Sequence, residues 1–198
     1  MRTTGILRPA LLGLACGGLS TAALAAPMTY EIDSNHTYPT FEADHLGGVS
    51  KWRGKINSTS GTVVLDKAAG TGTVDLEMDM RTLDFGHQRL NDHAQTPDLF
   101  DTAQYPTATY TGRLTGFRNG MPTRVEGNLT MHGQTHPVAL TINSFVCKPH
   151  PMQGPREVCG ADAEAQIDRS QWGITFGQPL FDMGVTLRIS VEALAPEQ

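Results

Sequence analysis

The feature that most limits what this chain can become is a one-for-one alternation of apolar and polar residues. From Thr73 to Met80, the side chains of Val74, Leu76, Met78 and Met80 fall on one side, and those of Thr73, Asp75, Glu77 and Asp79 on the other. Val125, Leu129 and Met131 alternate with Arg124, Asn128 and Thr130, and Val138, Leu140 and Ile142 with Ala139, Thr141 and Asn143. Val185, Leu187, Ile189 and Val191 do the same with Thr186, Arg188, Ser190 and Glu192. A repeat of two is the pleat of an extended strand, so each segment has one apolar and one wetted face, as strands of antiparallel sheets do. Turn-forming residues separate them at Gly70 to Gly72, Asn119-Gly120 and Gly133-Gln134.

The pattern places strands near residues 29–46, 51–57, 59–66, 72–80, 107–118, 122–132, 135–147, 158–168 and 183–194. The count is eight or nine, according to whether an early pair is one long bent strand. The alternation stops at 84–101, where Asp84, Gln88, Asn91, Asp92 and Gln95 surround Leu90 and Ala94 in a short helical pattern. Thr96-Pro97 then reads as a cap and first position of a further turn through Leu99 and Phe100. Many strands on short turns with one helical insertion make an all-β sandwich or closed barrel, and periodicity alone does not choose between them.

The first 25 residues carry a different signature. Arg2 and Arg8 precede an uncharged Leu, Ala and Gly-rich run from Leu11 to Leu24, and Ala23-Leu24-Ala25 supplies small residues at a cleavage position. This is the signature of a secretory signal peptide, residues 1–25, leaving a single domain over 26–198 and a periplasmic location. A membrane anchor fits less well, because the run is short and interrupted by Gly17 and Gly18. A lipoprotein reading would acylate Cys16, but Gly13 stands where a large aliphatic residue is usual.

Removing Arg2 and Arg8 takes the formal charge from −5 to −7, a poor match for nucleic acid or anionic lipid surfaces. After Ala26 no apolar run reaches the length of an integral membrane span. Two cysteines remain, Cys147 and Cys159, and an even count in an exported chain predicts a disulfide. Pro149, Pro151, Gly154 and Pro155 mark the segment between them as a loop.

Residues with catalytic chemistry do not fall into known arrangements. There is no Gly-x-Ser-x-Gly elbow, phosphate-cradling glycine loop or dinucleotide fingerprint. His132 and His136 straddle a hairpin, and His87 and His93 lack an obvious third ligand, so no metal site is expected. Eight methionines suit either ordinary packing or an adaptable apolar pocket. If an enzyme is hidden here, His36, His45, Asp92 and His93 are the first candidates.

Several stretches, in order, resemble the YceI-like family. The chain opens with Tyr30-Glu31-Ile32-Asp33, His36-Thr37, Phe41 and Asp44-His45-Leu46, followed by Trp52-Arg53-Gly54, Ser60-Gly61-Thr62 and Asp66. The insertion carries Arg89 to His93, Asp98-Leu99-Phe100-Asp101 and Tyr105-Pro106. Gly127-Asn128-Leu129-Thr130-Met131-His132-Gly133 with Pro137-Val138, and Ile167-Asp168-Arg169-Ser170 with Trp172-Gly173, complete the likeness. The resemblance implies a lipocalin-like, extended, antiparallel eight-stranded β-barrel whose interior holds a long apolar molecule. Polyisoprenoids, quinone-like lipids and fatty amides form the implied ligand class. It also implies a non-enzymatic protein, often a homodimer, needing no cofactor beyond that lipid. The Cys147–Cys159 pair is a departure from the family pattern.

With the apolar strand faces turned inward, the expected lining is Phe41; Val74, Leu76 and Met78; Leu129 and Met131; Val138, Leu140 and Ile142; and Val185, Leu187 and Ile189. The expected polar groups at the mouth are Arg89, Asp92 and His93.

Overall fold

A computed structural model describes residues 26–197. The expected signal peptide, its cleavage after Ala25 and the Cys16 alternative lie outside the described residues. One eleven-stranded sheet comprises β1 (Met28–Ile32), β2 (Tyr38–His45), β3 (Ser50–Ile56), β4 (Thr59–Asp66), β5 (Thr71–Asp79) and β6 (Leu83–Asp84). It continues through β7 (Thr107–Thr115), β8 (Arg124–Met131), β9 (Gln134–Pro149), β10 (Glu157–Asp168) and β11 (Gly184–Leu194). The helix α1 (Gln88–Ala94) sits in the expected insertion.

Eleven segments make eight barrel strands, because three strands are kinked. β11 pairs with β2 from Val185↔Ala43 to Ser190↔Tyr38 and with β1 at Ala193↔Ile32 and Leu194↔Glu31. β1 and β2 are thus two halves of one strand. Likewise β4 pairs with β1 while β3 pairs with β2, and β5 pairs with β4 while β6 pairs with β3. Every pairing is antiparallel, and the circuit closes from β11 back to the first strand. The closed barrel is therefore the arrangement adopted. The first kink is built by Asp33, whose carboxylate accepts the Asn35 N–H, and by Thr37, whose hydroxyl donates to the Glu192 carbonyl and accepts its N–H. Side-chain bonds there take the place of missing ladder bonds.

One of the expected turns is shifted by a residue and another falls where expected. His132 and Gly133, both with positive φ, form the two-residue turn between β8 and β9, one position before the expected Gly133-Gln134. Asn119 and Gly120 make a similar turn, closed by the Arg118↔Met121 bridge.

The register slips once, between β9 and β10. Asp162 faces Ser144 but Ala163 faces Ile142, so Asn143 is an extra residue, a β-bulge. Before the bulge Val138, Leu140 and Ile142 line the interior; after it Phe145 and Cys147 pack against the core. The parity switch turns Cys147 toward Cys159, its direct cross-strand partner, and the two form the expected disulfide. The cysteines are not in a loop: β9 runs through Pro149, and only residues 150–156 connect it to β10. The hairpin ladder carries the chain past the first proline before the turn begins.

The disulfide joins residues 12 apart in sequence, which restricts the unfolded chain by about 3 kcal/mol on the loop-entropy account. The double variant Cys147→Ser/Cys159→Ser is expected to unfold at a clearly lower urea concentration than the oxidised parent. Coincident unfolding curves would show that the bond adds nothing to this barrel.

Candidate functional site

An eight-stranded barrel is just wide enough for its side chains to fill it or for one small ligand to replace some of them. Here several inward residues on different strands are small. β10 presents Ala161 and Ala163 to the interior, β2 contributes Ala43 and β7 contributes Ala108. Glycines remove more bulk. A Cβ on Gly54 would stand 2.5 Å from the Phe41 ring, and one on Gly127 would stand 2.6 Å from the ring carbon and hydroxyl of Tyr110. Each aromatic ring lies over a glycine on the neighbouring strand, against the wall. The result is an apolar cavity of about 450 Å³ near the helix and a second of about 90 Å³ toward the opposite end.

All twelve apolar residues expected at the lining border this space. Phe41, Met78, Leu129, Met131, Val138, Val185 and Leu187 line the larger cavity, Val74 and Ile142 the smaller, and Leu76, Leu140 and Ile189 both. The polar trio separates. His93 lines the larger cavity, but Arg89 and Asp92 are exposed and do not reach it. Helical geometry is the reason: Leu90, His93 and Ala94 share the face turned to the barrel, while Arg89 and Asp92 lie on the opposite face. Asp92 instead accepts a hydrogen bond from Gln88 at 2.7 Å.

The helix is fastened by Asn91, whose amide accepts the Phe85 N–H at 2.7 Å and donates to the Asp84 carboxylate at 3.0 Å. A second segment closes the mouth from the other side. Asp168 accepts the backbone N–H and hydroxyl of Ser170, and the Arg169 guanidinium donates to the carbonyls of Ile174 and Phe176, both at 2.7 Å. Burial lowers the Arg169 pKa, partly offset by the Asp168 charge. Trp172 anchors this segment from beneath: it is 1% exposed, its indole donates to the Leu129 carbonyl, and its own carbonyl bonds the His132 ring. Asp44 then ties the β2–β3 turn to the same segment by accepting the N–H groups of Asp182, Gly47 and Gly48. Those bonds, led by that from Asp182, hold its carboxyl below the usual range.

Rings follow one another around this mouth. Phe176 meets Phe181 edge-on, Phe181 meets His45 edge-on, and His45 stacks on Trp52 at 4.0 Å. Trp52 meets Phe85, and Phe85 meets Phe41 at 5.5 Å. Sequence reading missed most of this rim. His45 continues the inward parity of Phe41, and Trp52 that of Ile56, so those two were available; the segment holding Phe176 and Phe181 has no period and offers no such signal.

The opposite end of the barrel is tied by polar contacts. The Tyr30 hydroxyl donates to the Glu157 carboxylate, which also accepts from Lys67 at 2.7 Å, and the Glu157 carbonyl accepts the Ala195 N–H. Burial pushes the Tyr30 phenol above its usual pKa, reinforced by the Glu157 carboxylate. For Glu157 burial acts upward, but the hydrogen bonds from Lys67 and Tyr30 outweigh it and hold the carboxyl below its usual value. Among the described residues, two groups bring three possible metal ligands together. Cys147, Glu157 and Cys159 are committed to the disulfide and the tyrosine contact, and Asp33, His36 and Glu192 belong to the first kink.

Comparison with known proteins agrees with this architecture. Residues 30–193 match the YceI-like domain. The chain is 29% identical over 192 residues to a YceI protein of Escherichia coli O157:H7, covering 95% of this chain and 98% of that one. It is 28% identical over 154 residues to a UPF0312 protein of Vibrio cholerae, covering 77% and 80%. Among solved structures, BcnA of Burkholderia cenocepacia superposes with a TM-score of 0.62 at 20% identity, over 82% of this chain and 99% of that one. A polyisoprenoid-binding domain of Saccharophagus degradans implicated in plant cell wall breakdown has a TM-score of 0.62 at 17% identity, over 85% and 99%.

The Glu157 contacts have a pH signature. Because the native carboxyl titrates below its unfolded value, its contribution is fully present above the ordinary glutamate pKa of about 4.3 and is lost as pH falls through the depressed native value. Stability measured by urea unfolding is expected to fall less steeply with acid in Glu157→Gln than in the parent. Parallel profiles would mean that this contact does not couple to folding.

Proposed function

Given that the chain belongs to the YceI-like family, we propose that it is an exported, non-enzymatic carrier that holds one long apolar molecule inside its barrel. The observation that carries this reading is the cavity of about 450 Å³, lined almost wholly by carbon and opening beneath a rim of aromatic rings. Two of its polar neighbours are already engaged in holding the mouth together, Asp44 by three backbone N–H groups and Arg169 by two carbonyls, while His45 stacks on Trp52 and His93 reaches Asp98 at 3.3 Å. Asp44 and Arg169 thus support the wall and are not free to act as an acid and base pair. The disulfide and the leader-like start fit an oxidising, periplasmic setting.

The ligand class is a polyisoprenoid, a quinone-like lipid or a fatty amide, held for transport, storage or sequestration. The Saccharophagus degradans domain, itself described as polyisoprenoid-binding, supports the first of these. Burying about 500 Å² of hydrocarbon yields about 12 kcal/mol gross at about 25 cal/mol per Å², against association costs of roughly 4–15 kcal/mol. The tail therefore has to supply the affinity, and the head group discriminates weakly.

Native mass spectrometry after gentle purification is expected to show a bound lipid, or its uptake when an isoprenoid, a quinone or a fatty amide is offered. A protein that stays empty with all three overturns the carrier reading. The two tryptophans give an optical check. Trp52 lines the cavity, whereas Trp172 is buried beneath the mouth segment. Ligand addition is expected to change tryptophan emission in the parent and in Trp172→Phe but not in Trp52→Phe.

A further inference from the structure

Phe176 belongs to two surfaces at once: it lines the larger cavity, and it is half-exposed to water. It leads onto an apolar patch beside the mouth. Val49 is 76% exposed, Leu180 is 70% exposed, and Leu46 is half-exposed. The two chain tips that carry these residues adjoin each other. Asp44 accepts the N–H groups of Gly47 and Gly48 on one tip and of Asp182 at the foot of the other. A Cβ on Gly47 would stand 3.1 Å from the Leu180 carbonyl oxygen. Apolar surface thus continues from the cavity through Phe181 and Phe176 to the outside.

Exposed apolar side chains standing singly are ordinary, but a group of them on two adjoining tips marks a contact surface. Both tips are also uncharged. Leu46 to Ser50, and the twelve residues from Ser170 to Phe181, contain no acid, lysine, arginine or histidine. The nearest carboxylates are turned to backbone: Asp44 holds the three N–H groups above, and Asp182 accepts that of Gly184 at 2.8 Å. Seating these tips in an apolar medium therefore strips no charge on them of its water.

The geometry points to these two tips as a bilayer-docking surface: Leu46, Val49, Phe176 and Leu180 enter the acyl boundary of a membrane, and the mouth opens onto it. The inference rests on the carrier reading and adds to it the surface across which cargo is exchanged. Patch size argues for a bilayer over a second copy of the chain. A stable protein interface engages roughly 20–30 residues a side, whereas contact with a membrane surface needs insertion of only about 5–10 Å. Continuity with the cavity argues the same way. Cargo that leaves through water gives up its burial before regaining any, but cargo that leaves through a seated mouth passes from one apolar phase to another. The chain's net negative charge opposes adsorption to anionic head groups, so the apolar tips have to make the contact.

The test is flotation of the purified protein with vesicles of phosphatidylcholine, and of phosphatidylethanolamine with a minority of phosphatidylglycerol. Weak, reversible binding to both is expected, and it should not diminish as NaCl rises from about 0.05 to about 0.5 M, because no ion pairing holds the contact. Leu180→Asp and, separately, Val49→Asp are each expected to weaken binding about tenfold or more. Met152→Asp is the control. Met152 is 86% exposed in the β9–β10 connection at the opposite end of the barrel, and its substitution is expected to change nothing. Neither Leu180 nor Val49 lines a cavity, so both variants should still take up an isoprenoid, quinone or fatty amide delivered from cyclodextrin, read by native mass spectrometry. Lipid uptake by a parent that does not float with vesicles overturns the docking surface and leaves the carrier reading standing. Flotation unmoved by both tip variants, or lost equally in Met152→Asp, also overturns it, as does a dimer that Leu180→Asp dissociates in a parent that ignores vesicles. Flotation that needs the tips, in a protein that takes up no lipid, upholds the surface and overturns the carrier reading.

Discussion

Closure of the backbone ladder through β11 is the constraint on which the rest of this molecule depends. β11 hydrogen-bonds β10 along one side and both halves of the first strand along the other. With the circuit closed, although β3 ahead of Lys55 and β6 keep a free edge, each strand has an inside and an outside, and the pleat sends alternate side chains to each. The interior need not be filled for the sheet to hold together, because the ladder satisfies most of the barrel backbone. That leaves room for the alanines of β10 and for glycines beneath Phe41 and Tyr110, the substitutions of bulk that turn a barrel core into a tube.

The two ends of the tube are built by different chemistry. At the mouth, irregular chain is held by short-range polar bonds: Asn91 to Phe85 and Asp84, Asp168 to Ser170, Arg169 to two carbonyls, Asp44 to three N–H groups. These are segments without strand pairing, so their backbone groups need side chains as partners. The rings they present are consequently placed by polar contacts outside the cavity rather than by packing within it. At the far end, a carboxylate shared by a phenol and an ammonium joins a covalent bond between adjacent strands.

The alternation in the sequence made the strands and their inward faces legible, and the twelve apolar residues named from it do border the cavities. Period two is a local property of the pleat, and it survives folding wherever the strand is regular. What it did not reveal follows from the same fact. The kinks at 33–37 and 80–82 interrupt pairing without interrupting the circuit, so segment counts and barrel strands differ. Arg89 and Asp92 are expected at the mouth with His93, but the helix turns about 100° per residue and carries them to the outside. Phe176 and Phe181 stand in an aperiodic stretch whose shape is dictated by Arg169 and Asp44, contacts that only three dimensions disclose.

The extra residue at Asn143 has a reach beyond its own position. It works as a phase shifter: everything on β9 past it is half a pleat out of step with what precedes. Were Asn143 taken into a regular pleat instead of bulging, Cys147 would turn toward solvent and Val146 toward the interior, separating a thiol from its mate. One inserted amino acid thus synchronises the covalent closure of the barrel with the vacancy inside it.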